Sequence, residues 1–143
     1  MNIQTIVERY AEGERDFRGT DLRGAQLEGV TLSGADLREA DLSGATLNSA
    51  LLWGVNLSGA HLESASLRGA DIRRATLMGA NLQSADLTDA LLVGSDLTNA
   101  TLRGANLSHA NLYCALLDAS EREIAVGAGA TIYDPALSLA RTR

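Results

Sequence analysis

The chain has 143 residues, of which 45% are hydrophobic and 21% charged, and this composition is typical of one folded globular domain. All 12 basic residues are arginines and the net charge is −6, which argues against a sequence-independent nucleic-acid binder. The single cysteine excludes a disulfide framework and a cysteine metal cluster, and no apolar run approaches the roughly 18 residues that a membrane helix needs.

The first predicted element is a short amphipathic helix. Its apolar residues recur at i, i+3, i+4 and i+7, namely Ile3, Ile6, Val7 and Tyr10. This stripe predicts a helix over residues 3–12 that ends near Gly13 and caps the start of the fold. A helix lying on a membrane surface is the alternative, but Arg9 is its only base beside three glutamates. The same residues lack the apolar stretch of a signal peptide, so we expect a cytoplasmic protein.

From residue 15 onward the sequence repeats every five residues. Each fifth position from 17 to 117 is large and apolar, and of these 21 positions nineteen are Leu, with Phe17 and Ile72 as the others. The residue two positions before each of them is small in nearly every repeat, and it is Ala at sixteen positions. The last position of the repeat is Gly eleven times.

A period of five fits neither an α-helix nor a flat strand. Five residues advance about 500° around a helix, so successive leucines form no stripe. In a strand, an odd period sends successive leucines to opposite faces. The chain must therefore bend once per repeat, and a Gly with positive φ suits the third residue of a type II turn. We predict a coiled tube filled by Leu and Ala, with one corner per repeat and no internal ligand cavity.

Aspartate and arginine recur two residues apart on the outside of this tube. The pairs are Asp16/Arg18, Asp21/Arg23, Asp36/Arg38 and Asp71/Arg73. Residues two apart lie on the same side of one short strand, so weak ion pairs are expected, each worth at most about 1 kcal/mol.

The repeats resemble those of the pentapeptide repeat protein family. Residues 35–39 (Ala-Asp-Leu-Arg-Glu) and 105–109 (Ala-Asn-Leu-Ser-His) match the pattern A(D/N)LXX, and the match runs from residue 15 to 119 without a gap. Residues 6–17 are similar to the N-termini of cyanobacterial members. The resemblance implies an all-β fold, a right-handed quadrilateral β-helix with four repeats per coil and about five coils spaced about 4.8 Å apart. We expect an N-terminal helical cap (1–14), the repeat β-helix (15–119) and a degenerate repeat with a C-terminal cap (120–143).

One outer face of this β-helix differs from the others. With 20 residues per coil, the repeats centred on residues 32, 52, 72, 92 and 112 stack on one face, where apolar or amphipathic residues replace Asp, Asn, Ser or Arg. Trp53 is the sole Trp of the chain, and Trp is a typical interface anchor. We predict a protein-binding patch of Leu51, Trp53, Arg73, Leu91, Val93 and Tyr113. The alternative is a set of tolerated surface hydrophobes, which are normal singly.

The repeat degenerates after residue 119, because Arg122 and Gly127 would occupy interior positions. Residues 120–123 (Ser-Glu-Arg-Glu) resemble a capping box, which predicts a helical turn ending at Gly127. Residues 130–134 recover a repeat, with Ile132 in the register of the buried leucines.

A last short helix is predicted over residues 135–140. Asp134 suits the N-cap and Pro135 the first helical position. Leu137 and Leu139 on this helix are candidates for a lid on the final coil. The resemblance implies a second possibility, because family members that dimerise often do so through this end.

No constellation of residues points to catalysis, a cofactor or a metal. His61 and His109 fall on different faces, and Cys114 has no activating partner in its repeat. We predict a non-enzymatic protein-interaction or scaffold module with an unknown partner protein, no nucleic acid, no membrane and no cofactor, which is a monomer or a weak dimer. The resemblance supplies an alternative, a DNA-mimic modulator of a type II topoisomerase (gyrase). Residues 15–119 carry 12 Asp or Glu and 8 Arg with interleaved signs, which is weak mimicry of DNA.

Overall fold

The backbone turns a corner once in every five residues. The computed structural model describes residues 1–132. At all 20 corners from residue 19 to residue 114, the second residue after the buried one has a positive φ. The carbonyl of the buried residue accepts a bond from the N–H three residues on, as between Leu22 and Ala25 (3.0 Å). This is the type II geometry that the glycines predict.

Nine of these corners lack glycine and still hold a positive φ, between 55° and 61°: Glu39, Ser49, Ser64, Arg74, Ser84, Asp89, Asn99, His109 and Cys114. An L-residue adopts this left-handed conformation at a cost of roughly 1–2 kcal/mol. The bonds between coils and the packing of the flanking leucines therefore impose the turn even where the local sequence opposes it.

Four corners complete one coil of 20 residues. The residues before the buried ones pair with the residues 20 positions later through single parallel β-bridges, from Asp16 with Asp36 to Asp96 with Leu116 and again between Asn111 and Thr131. The described chain thus has isolated bridges instead of extended strands. We name its four walls by their bridging residues: wall A (16, 36, 56, 76, 96, 116), wall B (21, 41, 61, 81, 101), wall C (26, 46, 66, 86, 106) and wall D (31, 51, 71, 91, 111, 131).

Backbone hydrogen bonds fix the register between coils on every wall. On wall A, the Phe17 N–H donates to the Asp36 carbonyl (2.8 Å), and the Gly19 N–H donates to the Arg38 carbonyl (2.9 Å). In the opposite direction, the Asp36 N–H donates to the Arg15 carbonyl (2.7 Å). Coils held this way are about 4.8 Å apart, so five coils make a tube roughly 25 Å long.

The interior of the tube is filled. The central residue of every repeat from 17 to 112 is at most 1% exposed, and alanines fill most of the positions between them. Ser95 occupies one alanine position and is completely buried. Its hydroxyl donates to the Ile72 carbonyl (2.5 Å) and accepts from the Ala75 N–H (3.3 Å), so this polar group is satisfied.

The N-terminal helix α1 spans Ile3–Ala11, close to the predicted 3–12. The Asn2 side chain caps it by accepting from the Thr5 N–H (2.8 Å). Ile6 is fully buried in the core, which supports the cap interpretation over a membrane-surface helix. None of the helices in the described chain is both long and apolar enough to cross a membrane.

The predicted apolar stripe of α1 is only partly buried, because Ile3 and Val7 each stay 40% exposed. The helix contacts the first coil along an arc centred on Ile6. Val7 lies about 100° around the helix from Ile6 and so leaves this arc. On the other side of the arc, the Arg9 guanidinium stacks 5.3 Å from the Phe17 ring centre.

The C-terminal helix α2 spans Ala119–Gly127 and ends at the predicted residue. Its N-cap is Asp118, so the predicted start at the Ser120 capping box is wrong. The reason is a contact across coils. The Asp118 carboxylate accepts from the Asn99 N–H (2.8 Å), and the Glu121 carboxylate accepts from the Leu102 N–H (2.7 Å). These side chains take the place of the carbonyls that another coil would supply.

The chain rejoins the tube after α2. Thr131 pairs with Asn111 on wall D, and Ile132 packs against the core in the predicted register. The predicted helix over 135–140, with the lid or dimer candidates Leu137 and Leu139, lies outside the described residues.

Candidate functional site

Wall D brings the residues of the predicted patch into aligned rows. The bridges join Leu51 to Asp71 and Asp71 to Leu91, so these three residues form one column. Two residues further along each row, Trp53, Arg73 and Val93 form a second column. The backbone fixes both columns, since the Gly54 N–H donates to the Arg73 carbonyl (2.9 Å) and the Arg74 N–H to the Val93 carbonyl (3.0 Å).

Large apolar side chains are exposed on this wall. Leu51, Trp53, Leu91 and Tyr113 are between 37% and 49% exposed, and Val93 is half-buried beside them. Within the described part of the chain, walls B and C expose no large apolar side chain. The 20-residue register that places the patch on one face is therefore present in the molecule.

An ion pair lies in the middle of the patch. Arg73 donates to Asp71 through two parallel bonds, Nε to Oδ1 and Nη2 to Oδ2, both 2.8 Å long. The guanidinium holds the pKa of Asp71 below its usual range, although partial burial of the carboxylate opposes this shift. The two residues form a neutral pair in which the arginine is the more exposed partner, with 48% of its side chain accessible against 16% for the aspartate.

The other three predicted aspartate–arginine pairs are also confirmed. The shortest N–O distances are 2.8 Å for Asp16 with Arg18, 2.7 Å for Asp21 with Arg23 and 2.6 Å for Asp36 with Arg38. These side chains are mostly exposed, so their contribution to stability is small. The pairs matter more for the surface charge, because in each of them the arginine neutralises the aspartate beside it.

Four exposed apolar residues on the tube and on α2 were not predicted from the sequence. Met78 and Leu116 lie on wall A, and Ile124 and Val126 lie on α2. Leu116 had a signal in the sequence, because residues 116–117 repeat the Leu-Leu pair of residues 51–52 and 91–92. No sequence pattern indicated that Ile124 and Val126 are exposed, because the five-residue repeat that separates buried from exposed positions ends before them.

The residues considered for catalysis or metal binding lie apart from one another, as predicted. His61 is exposed on wall B, with its Nδ1 3.5 Å from a carboxylate oxygen of Glu63. His109 and Cys114 are exposed at two different corners. Residues 1–132 contain no group of three or more His, Cys, Asp or Glu that could hold a metal ion.

The outer surface does carry a concavity, which the sequence analysis did not foresee. This open hollow of about 450 Å³ is lined by Arg18, Gly19, Arg38, Glu39 and Ser58. It lies on the outside of wall A, so the expectation of a filled interior is unaffected. Both of its arginines already bind aspartates of their own repeats, so most of the positive charge that would attract an anion is neutralised.

Comparisons with known proteins agree with this architecture. The family model for pentapeptide repeats matches in eight copies over residues 16–48, 47–83 and 80–117. Among solved structures, the pentapeptide repeat protein alr5209 from Nostoc PCC 7120 is 34% identical, with a TM-score of 0.58 over 92% of this chain and 96% of that one. A pentapeptide repeat protein from the Arabidopsis thaliana thylakoid lumen is 29% identical, with a TM-score of 0.58 over 76% of this chain and 81% of that one. A comparison with curated proteins finds no match. The chain therefore belongs to the pentapeptide repeat family and has its right-handed β-helix solenoid fold.

Proposed function

We propose that the protein is a non-enzymatic interaction module that presents wall D to a partner protein. The observation that carries the proposal is the alignment of Leu51, Trp53 and Leu91, all exposed, on one wall. The interior is filled with buried side chains, so a partner must bind to the outside or to an end of the tube.

The wall is suited to binding because it is already ordered. Each row is hydrogen-bonded to the rows on both sides, as Ile72 is to Leu91 (2.7 Å) and Asp71 to Ala50 (2.9 Å). Wall D therefore loses little conformational entropy when a partner binds to it. Complete burial of a Leu or Trp contributes roughly 1.5–3 kcal/mol, and these side chains are already about half covered, so each adds about 1 kcal/mol. Such a patch supports reversible binding better than a permanent complex.

The gyrase alternative has less support. A DNA mimic needs a continuous acidic surface, whereas four aspartates on walls A, B and D are each paired with an arginine of their own repeat. We expect no inhibition when the protein is titrated at micromolar concentration into a gyrase supercoiling assay. Inhibition there would favour the alternative.

Affinity capture from a lysate of the source organism tests the proposal. The bait is the wild-type chain beside the triple variant Leu51→Ser, Trp53→Ser and Leu91→Ser. A matched control, Met78→Ser with Leu116→Ser, removes exposed apolar side chains from wall A instead. Circular dichroism melts establish that each bait is folded.

We expect the wild type and the wall A control to retain a protein that the triple variant loses. Mass spectrometry then shows whether the retained protein is another protein or an untagged copy of this chain. Retention of the same proteins by the wild type and by the triple variant would overturn the assignment of wall D.

A further inference from the structure

We infer that wall D is self-complementary and that the partner it fits is a second copy of this chain. The inference rests on the proposed function, since it names the partner of that same wall. It starts from the three central rows of the wall, each of which presents two outward side chains. The rows are Leu51 with Trp53, Asp71 with Arg73, and Leu91 with Val93.

Two-fold symmetry relates these rows in a simple way. In a face-to-face dimer the two-fold axis lies in the plane of the interface. When this axis runs parallel to the tube, the rows keep their order but each row is reversed across the interface. Position 51 then faces position 53 of the other copy, position 71 faces 73, and position 91 faces 93.

This arrangement matches each of the three central rows by its chemistry. The outer rows bring Leu51 against Trp53 and Leu91 against Val93, so apolar side chains meet apolar side chains. In the central row, Asp71 faces Arg73 of the second copy, and the same contact is made twice. Arg73 uses Nε and Nη2 for its own aspartate, so its Nη1 group can donate to the carboxylate across the interface.

The other two-fold arrangement is excluded by charge. With the axis along the rows, position 51 would face position 91 and the apolar rows would still meet. Asp71 would then face Asp71 and Arg73 would face Arg73, and like charges placed together in an interface are costly. The charges of the central row therefore select the parallel, side-by-side dimer.

Charged residues at the two edges of wall D favour the same arrangement. Arg74 occupies the corner beside Arg73, and Asp89 occupies a corner one coil away on the side of Asp71. Both are exposed. In the side-by-side dimer the edge of one copy that carries Asp89 lies along the edge of the other copy that carries Arg74, with the two charges one coil apart.

The size of the wall predicts a weak dimer. Wall D is about 25 Å long and three residues, or about 10 Å, wide. This area is well below the roughly 800 Å² that each partner buries in a standard stable interface. We therefore expect association that depends on concentration and becomes visible only well above micromolar levels.

Sedimentation analysis of charge variants tests this inference, at low salt and with the full chain up to about 500 µM. We expect the wild type to shift from monomer towards dimer as its concentration rises. Asp71→Arg alone and Arg73→Asp alone each create like-charge contacts, and each should weaken self-association at least about tenfold. Arg23→Asp, in the equivalent pair of wall B, serves as the control and should leave it unchanged.

Mixing the two single variants gives the decisive result. A chain with two acidic residues in the central row fits a chain with two basic ones, so the equimolar mixture should recover dimers that neither variant forms alone. A folding defect would not be rescued by mixing. The inference is overturned if the wild type stays monomeric at about 500 µM, or if the mixture fails to recover association.

The two proposals fail in different ways. Capture of another protein that depends on Leu51, Trp53 and Leu91, together with a monomeric wild type, overturns only the self-association. If no protein is captured in a wall D-dependent way and the wild type also stays monomeric, the assignment of wall D is overturned altogether.

Discussion

Gly24 lies at a corner of wall B where only the backbone conformation demands glycine. Its φ is +63°, and a Cβ atom built there would have no other atom within 4 Å. A Gly24→Ala substitution therefore tests the left-handed turn without any steric clash. The side chain added at this position points into solvent, since Gly24 is exposed.

The magnitude of the effect is the difference between two opposing contributions. An L-residue in the left-handed region costs roughly 1–2 kcal/mol. Alanine also reduces the conformational entropy of the unfolded chain, which returns about 0.4–1 kcal/mol. The free energy of unfolding should therefore fall by about 1 kcal/mol, which lowers the Tm of a domain of this size by about 3–5 °C.

Urea unfolding followed by circular dichroism measures this loss, with an unchanged m-value showing that the unfolded state is comparable. Gly24→Asn is the matched comparison, because asparagine tolerates positive φ and Asn99 adopts 61° at an equivalent corner. We expect Gly24→Asn to lose less stability than Gly24→Ala. If alanine costs nothing, or if asparagine costs more than alanine, backbone conformation is not the reason for glycine at these corners.

Two further predictions concern carboxylates. Glu121→Ala leaves the Leu102 N–H without its acceptor and should lower the free energy of unfolding in urea by about 1–3 kcal/mol. Glu121→Gln keeps an acceptor oxygen and should lose less stability. Equal losses for the two variants would contradict this role of Glu121. The Arg18 hydrogen bond lowers the pKa of Asp16 to about 2, below its value of about 3.9 in the unfolded chain. Its contribution is therefore present above about pH 4 and lost as pH falls towards 2. Melts across this range should show a smaller drop for Arg18→Gln than for the wild type, and an identical drop would refute the assignment.

The repeat region could be predicted almost completely, because its information is local. Every buried leucine and every corner belongs to a five-residue pattern that the sequence displays directly. The same pattern, combined with 20 residues per coil, is enough to place Leu51, Trp53 and Leu91 on one wall. The sequence did not identify which non-glycine residues, such as Arg74, adopt a positive φ, and exposed Met78 and Leu116 were also not predicted.

The two ends were predicted less well, because their contacts join residues that are distant in sequence. Asp118 begins α2 while its carboxylate binds the Asn99 N–H, 19 positions earlier, and no local motif reveals such a partner. The face that α1 turns towards the tube also depends on residues that are distant in sequence. Helical periodicity identified its apolar residues, but the shape of the first coil decided that Ile6 is buried while Val7 stays exposed.

The sequence alone therefore determined the period and the side chains of the repeats that point inwards. It could do so because hydrophobic burial and turn conformation act within each five-residue unit. The tertiary structure decided which groups satisfy the open edge of the last coil and how the first helix sits on the tube. Those features depend on atoms brought together only when one coil stacks on the next.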